Sequence, residues 1–346
     1  MRTMFMTTLL RIGTAAAFAA PLAVAAQTQL TGAGATFPYP LYSKWFDEYR
    51  KLHPDVQINY QSIGSGGGIR QVTEGTVDFG ATDGPMTDEQ IAAFRDKRGA
   101  AILHFPTVLG AVVPVYNVPG MATVLRFTPE ALAGIFLGTI TKWNDQAIAA
   151  ANPGVNLPAS DVVVVHRSDG SGTSFVWTDY LSKVSPAWKA KVGANTSVNW
   201  PVGLGGKGNE GVSGLVKQTA GAIGYVELIY AVQNKIAYGS VRNAAGAFVT
   251  ASMAGVSAAA AAAAAKMPDD FRVSITNAAG KGAYPVSSFT WLLVPAKIDD
   301  AAKKRVIVDF LGWMLKAGQR SAESLGYAPL PKAVVEKELK AIGAVK

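Results

Sequence analysis

Short apolar runs alternate with helical patterns along almost the whole chain, and this alternation restricts the fold more than any other feature. Val56, Ile58 and Tyr60 alternate as in a strand. Residues 77–81, 101–105, 109–116, 162–165, 222–228 and 288–294 read as further strands. Between and around them lie helical patterns. In residues 38–52, Leu41, Trp45, Tyr49 and Leu52 recur at helical spacing, with Pro38 suited to the first turn. A short helix through Gln71 and Val72 should follow the loop at Gly64, and one with Phe175, Tyr180 and Leu181 on its apolar face should follow the loop at Asp169. Two helices, 300–315 and 332–342, close the chain. Strands alternating with helices predict an α/β architecture with helix-covered sheets. In such sheets ligands sit beyond the carboxyl ends of strands.

The first 26 residues stand apart. Arg2 and Arg11 precede an apolar run over residues 12–20, and Ala23-Val24-Ala25-Ala26 offers small-residue cleavage sites after Ala25 or Ala26. This is the pattern of a secretory signal peptide, and the run is too short for a membrane anchor. Export without any cysteine fits a bacterial envelope compartment. The missing cysteines also exclude a disulfide scaffold, a thiolate metal site and a cysteine nucleophile. The three histidines, His53, His104 and His166, are far apart and suggest no metal cluster. Net charge falls from +8 to +6 once Arg2 and Arg11 are removed. The remaining basic residues are scattered, the longest cluster being Lys303-Lys304-Arg305, so nucleic acid is not expected. The run of eight alanines at 258–265 reads as a surface helix without a function.

Three loop-to-helix junctions share one chemistry. They are 32–38 (Gly-Ala-Gly-Ala-Thr-Phe-Pro), 64–68 (Gly-Ser-Gly-Gly-Gly) and 169–174 (Asp-Gly-Ser-Gly-Thr-Ser). Each offers a hydroxyl, glycine and the free N–H groups of a helix start, which carries partial positive charge and attracts anions. Arg167 lies just before the third junction and is suited to bidentate oxyanion binding. Asp169 is placed to orient Arg167 or to cap the following helix. Asp83 is a carboxylate among anion-binding groups, which makes sense when the ligand carries a proton.

Enzymatic patterns are weaker. No phosphate-binding loop ending in Gly-Lys-[Ser/Thr] is present. Gly203-Leu204-Gly205-Gly206-Lys207-Gly208 superficially resembles a dinucleotide loop, but no suitable apolar strand precedes it. Ser171 lacks the spacing of a nucleophile elbow, and His166 is too near in sequence to be its obvious base.

Four stretches, 31–38, 77–83, 167–175 and 200–209, together resemble the periplasmic phosphate-binding proteins of bacterial phosphate ABC transporters. The similarity runs in order from about Leu30 to the C-terminus. It implies a type II solute-binding fold: two interleaved α/β lobes joined by a two-strand hinge, without cofactor or metal. Lobe one would comprise residues 27–106 and 286–346, and lobe two residues 107–285. The phosphate contacts of the family fall on Thr36 and Phe37 (backbone), Ser65, Asp83, Arg167, Ser171, Gly172 and Thr173, with Asp169 in support. Gly66 and Ser168 depart from the family's usual residues. The implied partners of this periplasmic, monomeric receptor are inorganic phosphate and the membrane subunits of an import permease. Two other readings are a phosphate-ester hydrolase, which would need a nucleophile or metal cluster, and a receptor for another oxyanion such as sulfate. Asp83 discriminates the latter.

Overall fold

The computed structural model describes residues 27–121 and 123–346; the signal-like segment 1–26 lies outside the described residues. Twelve strands occur among them: β1 (Thr28–Gly34), β2 (Val56–Ser62), β3 (Phe79–Thr82), β4 (Ile102–Asn117), β5 (Arg126–Phe127), β6 (Val163–Arg167), β7 (Leu204–Gly206), β8 (Ala222–Glu227), β9 (Ala237–Tyr238), β10 (Ser240–Arg242), β11 (Phe248–Val249) and β12 (Ser287–Pro295). The helices are α1 (Tyr39–Leu52), α2 (Ser65–Glu74), α3 (Asp88–Arg98), α4 (Pro129–Leu137), α5 (Gln146–Ala149), α6 (Gly172–Val184), α7 (Pro186–Lys191), α8 (Gly208–Gln218), α9 (Leu228–Asn234), α10 (Met253–Ala264), α11 (Ala301–Trp313), α12 (Gln319–Ala322) and α13 (Lys332–Ala341).

Nine strands form one sheet in the order β2-β1-β3-β12-β4-β8-β6-β7, with β9 also on β4; β11-β10-β5 form a small separate sheet. Strand β4 joins two half-sheets. Its residues from Ile102 to Ala111 pair antiparallel with β12, and Val112 to Asn117 pair with β8. The sequence reading has two strands here, 101–105 and 109–116. The structure keeps one 16-residue strand. Pro106 faces Trp291, and a register shift between Thr290 and Trp291 absorbs the irregularity, so the strand continues past the proline. Thr107 is held there by Tyr42 Oη (3.0 Å) and donates to the Thr290 carbonyl (3.2 Å). Pro106 therefore lies within the half of β4 that pairs with β12, and the change of partner comes between Ala111 and Val112.

Burial explains the pattern of residues. All nine residues of β12 and all six of β8 are buried, as expected for strands covered on both faces. Helix α1 buries Leu41, Tyr42, Trp45, Phe46 and Tyr49, the stripe that its sequence spacing predicts. Each large side chain removed fully from water contributes roughly 1.5–3 kcal/mol. Pro38 is the residue before this helix, not within its first turn. The glycine run at 64–68 is also not a loop preceding a helix. It is the first turn of α2 itself, which begins at Ser65 after Gly64 at φ 89°. Glycine costs helix propensity, but Gly68 lies so close to the β1 and β3 backbones that a Cβ there would collide with the Ala33 and Ala81 carbonyls. On α6 the buried face is Val176, Trp177, Tyr180 and Leu181, whereas Phe175 is only partly buried and packs against Gly84. The alanine-rich helix α10 ends at Ala264 and buries Ala259 and Ala260. Among the described residues, no helix is long and apolar enough to cross a membrane.

Candidate anion-binding site

Three helix starts meet where the half-sheets face each other. The turn between β1 and α1 carries Thr36 and Phe37, the first residue of α2 is Ser65, and α6 starts at Gly172 with Ser171 as its cap. The stretch after β3 adds Asp83, and β6 ends on Arg167. Every site residue expected from the sequence is thus brought to this region, and all except Asp169 are at least 98% buried or are buried glycine.

The contacts are close. Gly172 lies so near Ser65 and Asp83 that a Cβ on it would overlap both the Ser65 hydroxyl and the Asp83 carboxylate. The Gly66 N–H donates to the Gly170 carbonyl (2.8 Å), joining α2 to the loop before α6. Asn209, the second residue of α8, donates its amide to the Thr36 hydroxyl (2.7 Å) and the Thr173 hydroxyl (3.2 Å). Tyr230 on α9 donates to the Thr36 carbonyl (2.6 Å). Tyr327 donates to the Phe37 carbonyl (2.6 Å), fixing the turn that leads into α1.

Arg167 is anchored, not free. Its Nε and one Nη donate to both oxygens of Asp169 (2.8 and 2.5 Å), and its side chain is 1% exposed. Burial alone would raise the Asp169 carboxyl. The Arg167 bonds and the Gly208 N–H (3.0 Å) outweigh it and hold Asp169 below the usual carboxylate range. Asp169 therefore orients Arg167, and the cap of α6 is Ser171, whose hydroxyl accepts from the Ser174 N–H (3.0 Å). The remaining guanidinium nitrogen, Nη1, is buried with no hydrogen-bond partner. The Arg167 N–H donates to Tyr225 Oη (3.1 Å), which also contacts Ser174 Oγ (2.6 Å).

Asp83 has the opposite character. Thr290 Oγ1 donates to its Oδ1 (2.8 Å), while Oδ2 is buried without a partner. Burial pushes this carboxyl up to about 7; the Thr290 bond and the Arg167 charge offset only part of that effect.

The hydroxyls follow one rule. Ser65 accepts from the Asp83 N–H (3.2 Å), Ser171 from Ser174, Thr36 from Asn209, and Thr173 from Asn209. Among the hydrogen bonds of the described residues, none takes the hydrogen of any of these four hydroxyls. A hydroxyl whose lone pair is engaged has its hydrogen left to give. The site therefore presents donors from four hydroxyls, one guanidinium nitrogen and three helix starts, together with an open acceptor, Asp83 Oδ2. Such an inventory suits an oxyanion with several bare oxygens and one proton.

His166 stands outside this set. Its ring stacks on Trp200 (4.8 Å, 11°), its Nδ1 lies 3.0 Å from the Arg167 carbonyl, and burial lowers its pKa. The glycine-rich stretch 203–208 forms the short strand β7 beside β6, and its Gly208 N–H serves Asp169. Asn209, Tyr225, Tyr230 and Thr290 had no sequence signal of their own. Only Asn209 lay inside a stretch that sequence resemblance had marked.

The chain matches the PBP superfamily domain over residues 21–317. It is 48% identical over 310 residues to the phosphate-binding protein PstS of Xylella fastidiosa, covering 89% of this chain and 83% of that protein. Against the phosphate-binding protein PstS of Pasteurella multocida it is 47% identical over 317 residues, with 91% and 90% covered. The solved phosphate-binding protein from Stenotrophomonas maltophilia has a TM-score of 0.72 at 19% identity, covering 91% of this chain and 94% of that one. At that identity the likeness speaks to the fold, which is the two-lobed α/β solute-binding fold.

Proposed function

This chain belongs to the phosphate-binding proteins of phosphate ABC transporters, within the PBP superfamily, and on that premise we propose that it captures inorganic phosphate between its lobes and delivers it to an import permease. It is a receptor and not an enzyme. The observation that carries the reading is the donor inventory: four hydroxyls committed as acceptors to the protein, an unpaired buried Arg167 Nη1, and an unpaired acceptor on Asp83.

Near neutral pH phosphate keeps at least one proton and at least two bare oxygens. The bare oxygens accept from Thr36, Ser65, Ser171, Thr173 and Arg167, and from backbone N–H groups at Phe37, Gly172 and Thr173. One proton is shared between phosphate and Asp83 Oδ2. Sulfate brings no proton, so at alkaline pH it sets an oxygen against a carboxylate with nothing between them. A site built around a hydrogen bond rejects an isostere lacking it by as much as about 10⁴.

Closure is part of the binding. Thr36, Ser65 and Asp83 come from lobe one, and Arg167 to Thr173 from lobe two. Phosphate that touches both stabilises the closed arrangement by differential contact. We place the hinge where β4 changes partner, at Ala111 and Val112, and not at Pro106. The second crossing stays at 285–286, where the Val286 carbonyl accepts from the Val112 N–H (2.8 Å). We further propose that the leader is cleaved on export and that the receptor works as a monomer in the periplasm.

Calorimetric titration with phosphate and sulfate tests the proposal, together with thermal unfolding. Phosphate at 1,000 times its Kd should stabilise the folded protein by about 4 kcal/mol. Equal chloride should not. No heat and no rise in Tm at millimolar phosphate would sink the reading.

A further inference from the structure

Asn209 lies behind the donor-lined site and joins its two sides. We propose that Asn209 is a positioning residue that makes Thr36 and Thr173 obligate donors to the bound oxyanion, one from each lobe. The inference rests on the phosphate-receptor reading above.

The orientation of the amide is set by chemistry. The Glu227 backbone N–H, which can only donate, reaches Asn209 Oδ1 (3.1 Å). The amide NH₂ must therefore point the other way, toward Thr36 Oγ1 (2.7 Å) and Thr173 Oγ1 (3.2 Å). The Asn209 backbone N–H also donates to Thr36 Oγ1 (3.3 Å). Both lone pairs of the Thr36 hydroxyl are then occupied, and its one hydrogen is all it has left to offer. Thr173 has one lone pair occupied on the Asn209 side, which turns its hydrogen away from the amide. Asn209 and Thr173 are 0% exposed and Thr36 is 2% exposed, so bulk water does not compete for these hydrogens.

The geometry also spans the cleft. Thr36 precedes α1 in lobe one, whereas Thr173 is on α6, Asn209 on α8 and Glu227 on β8 in lobe two. Thr36 acquires its fixed donor direction when the lobes come together. Closure and completion of the donor set are then one event.

A purely structural role and the proposed one make opposite demands on substitution. Asn209→Asp is isosteric and keeps an acceptor for the Glu227 N–H. A structural role tolerates it better than Asn209→Ala. The proposed role predicts the reverse. An ionised carboxylate would take the hydrogens of Thr36 and Thr173 for itself and repel the anion. The alanine leaves those hydroxyls free to turn toward it.

The experiment is calorimetric titration of the full chain with inorganic phosphate at pH 8, after thermal unfolding of each variant without phosphate. Asn209→Ala should bind about tenfold more weakly and Asn209→Asp at least about a hundredfold more weakly, as expected for one and two or more charge-assisted bonds. Lowering the pH to about 5.5 should recover Asn209→Asp relative to the unaltered protein, as the introduced carboxyl takes a proton and donates again. The titratable and charged neighbours Asp83, Arg167, Asp169, Glu210 and Glu227 are common to both proteins, so the ratio isolates the new group. A double-mutant cycle needs no folded aspartate variant: in a Thr36→Val background, Asn209→Ala should cost clearly less than in the unaltered protein. Asn209→Asp binding at pH 8 as tightly as Asn209→Ala, a pH profile parallel to that of the unaltered protein, or an additive cycle would overturn the inference. No phosphate binding by the unaltered protein would overturn the receptor reading as well.

Discussion

Replacing Asp83 by asparagine should make the phosphate-free protein more stable, and the gain should grow with pH. The Asp83 carboxyl is fully buried, and burial raises its pKa from the ordinary 3.8 to about 7. Because the folded value is raised above the unfolded one, the folded state holds a proton between those limits that the unfolded state has released. Raising the pH then favours unfolding, from about pH 4 until the folded carboxyl itself ionises near 7. Roughly three decades of proton affinity correspond to about 4 kcal/mol. Asparagine never ionises, and its carbonyl can still accept from Thr290. The stability difference, variant minus unaltered protein, should therefore widen by about 4 kcal/mol between pH 4 and pH 8 and then level off. Burial also raises the Glu227 and Glu338 carboxyls, which give both proteins a slope of the same sign that largely cancels in the difference. Urea unfolding in phosphate-free buffer, followed by tryptophan fluorescence at several pH values, measures it. Parallel curves, or a gap that narrows as pH rises, would refute the account of Asp83.

The same carboxyl predicts a pH-dependent selectivity. Below pH 7 it carries a proton to give to sulfate, so the phosphate-to-sulfate affinity ratio of the unaltered protein should shrink from pH 8 to pH 6 in competition titrations, and Asp83→Asn should show a smaller ratio at pH 8; a ratio constant in both comparisons would remove Asp83 from the discrimination. Arg167→Ala should weaken phosphate binding by about 2–5 kcal/mol, and Arg167→Lys by less, since a point charge replaces only part of a planar donor. Binding by both variants at the unaltered affinity would show that Arg167 is no ligand. Gly172→Ala should abolish most phosphate binding because its Cβ would overlap Ser65 and Asp83 in the closed arrangement; calorimetry showing the unaltered Kd would mean that the closed geometry is not the binding geometry.

The legible part of the site was chemical. Ser65, Ser171 and Thr173 each stand next to a glycine at a helix start, and Thr36 stands two residues after Gly34 just ahead of α1; that combination shows in sequence because glycine, hydroxyl and apolar periodicity are local features. Arg167 and Asp169 are two residues apart, so their pairing was also within reach. Asn209, Thr290 and Tyr230 were illegible for the opposite reason. Their partners lie 173, 207 and 194 residues away, and an asparagine in a helix start looks like any other polar residue. The fold class was readable from alternating periodicities. The continuity of β4 was not, because the register shift that carries it past Pro106 depends on β12, which is far along the chain. Nor was the start of α2 inside a glycine run, where close packing on Ala33 and Ala81 overrides propensity.

The place of β12 in the sheet bears on how the chain is made. It lies between β3 and β4 and is hydrogen-bonded to both, yet it is contributed by residues 287–295. As the chain emerges from the ribosome, β3 and β4 have no central strand to pair with until most of it has been synthesised. The first half-sheet is left with two open edges and an unfilled core during that time. Under the export proposed above, the unfinished sheet would keep the nascent chain from settling into its final fold before it crosses the membrane. A chain stopped before residue 287 should accordingly remain protease-sensitive through residues 27–111, while the finished chain resists.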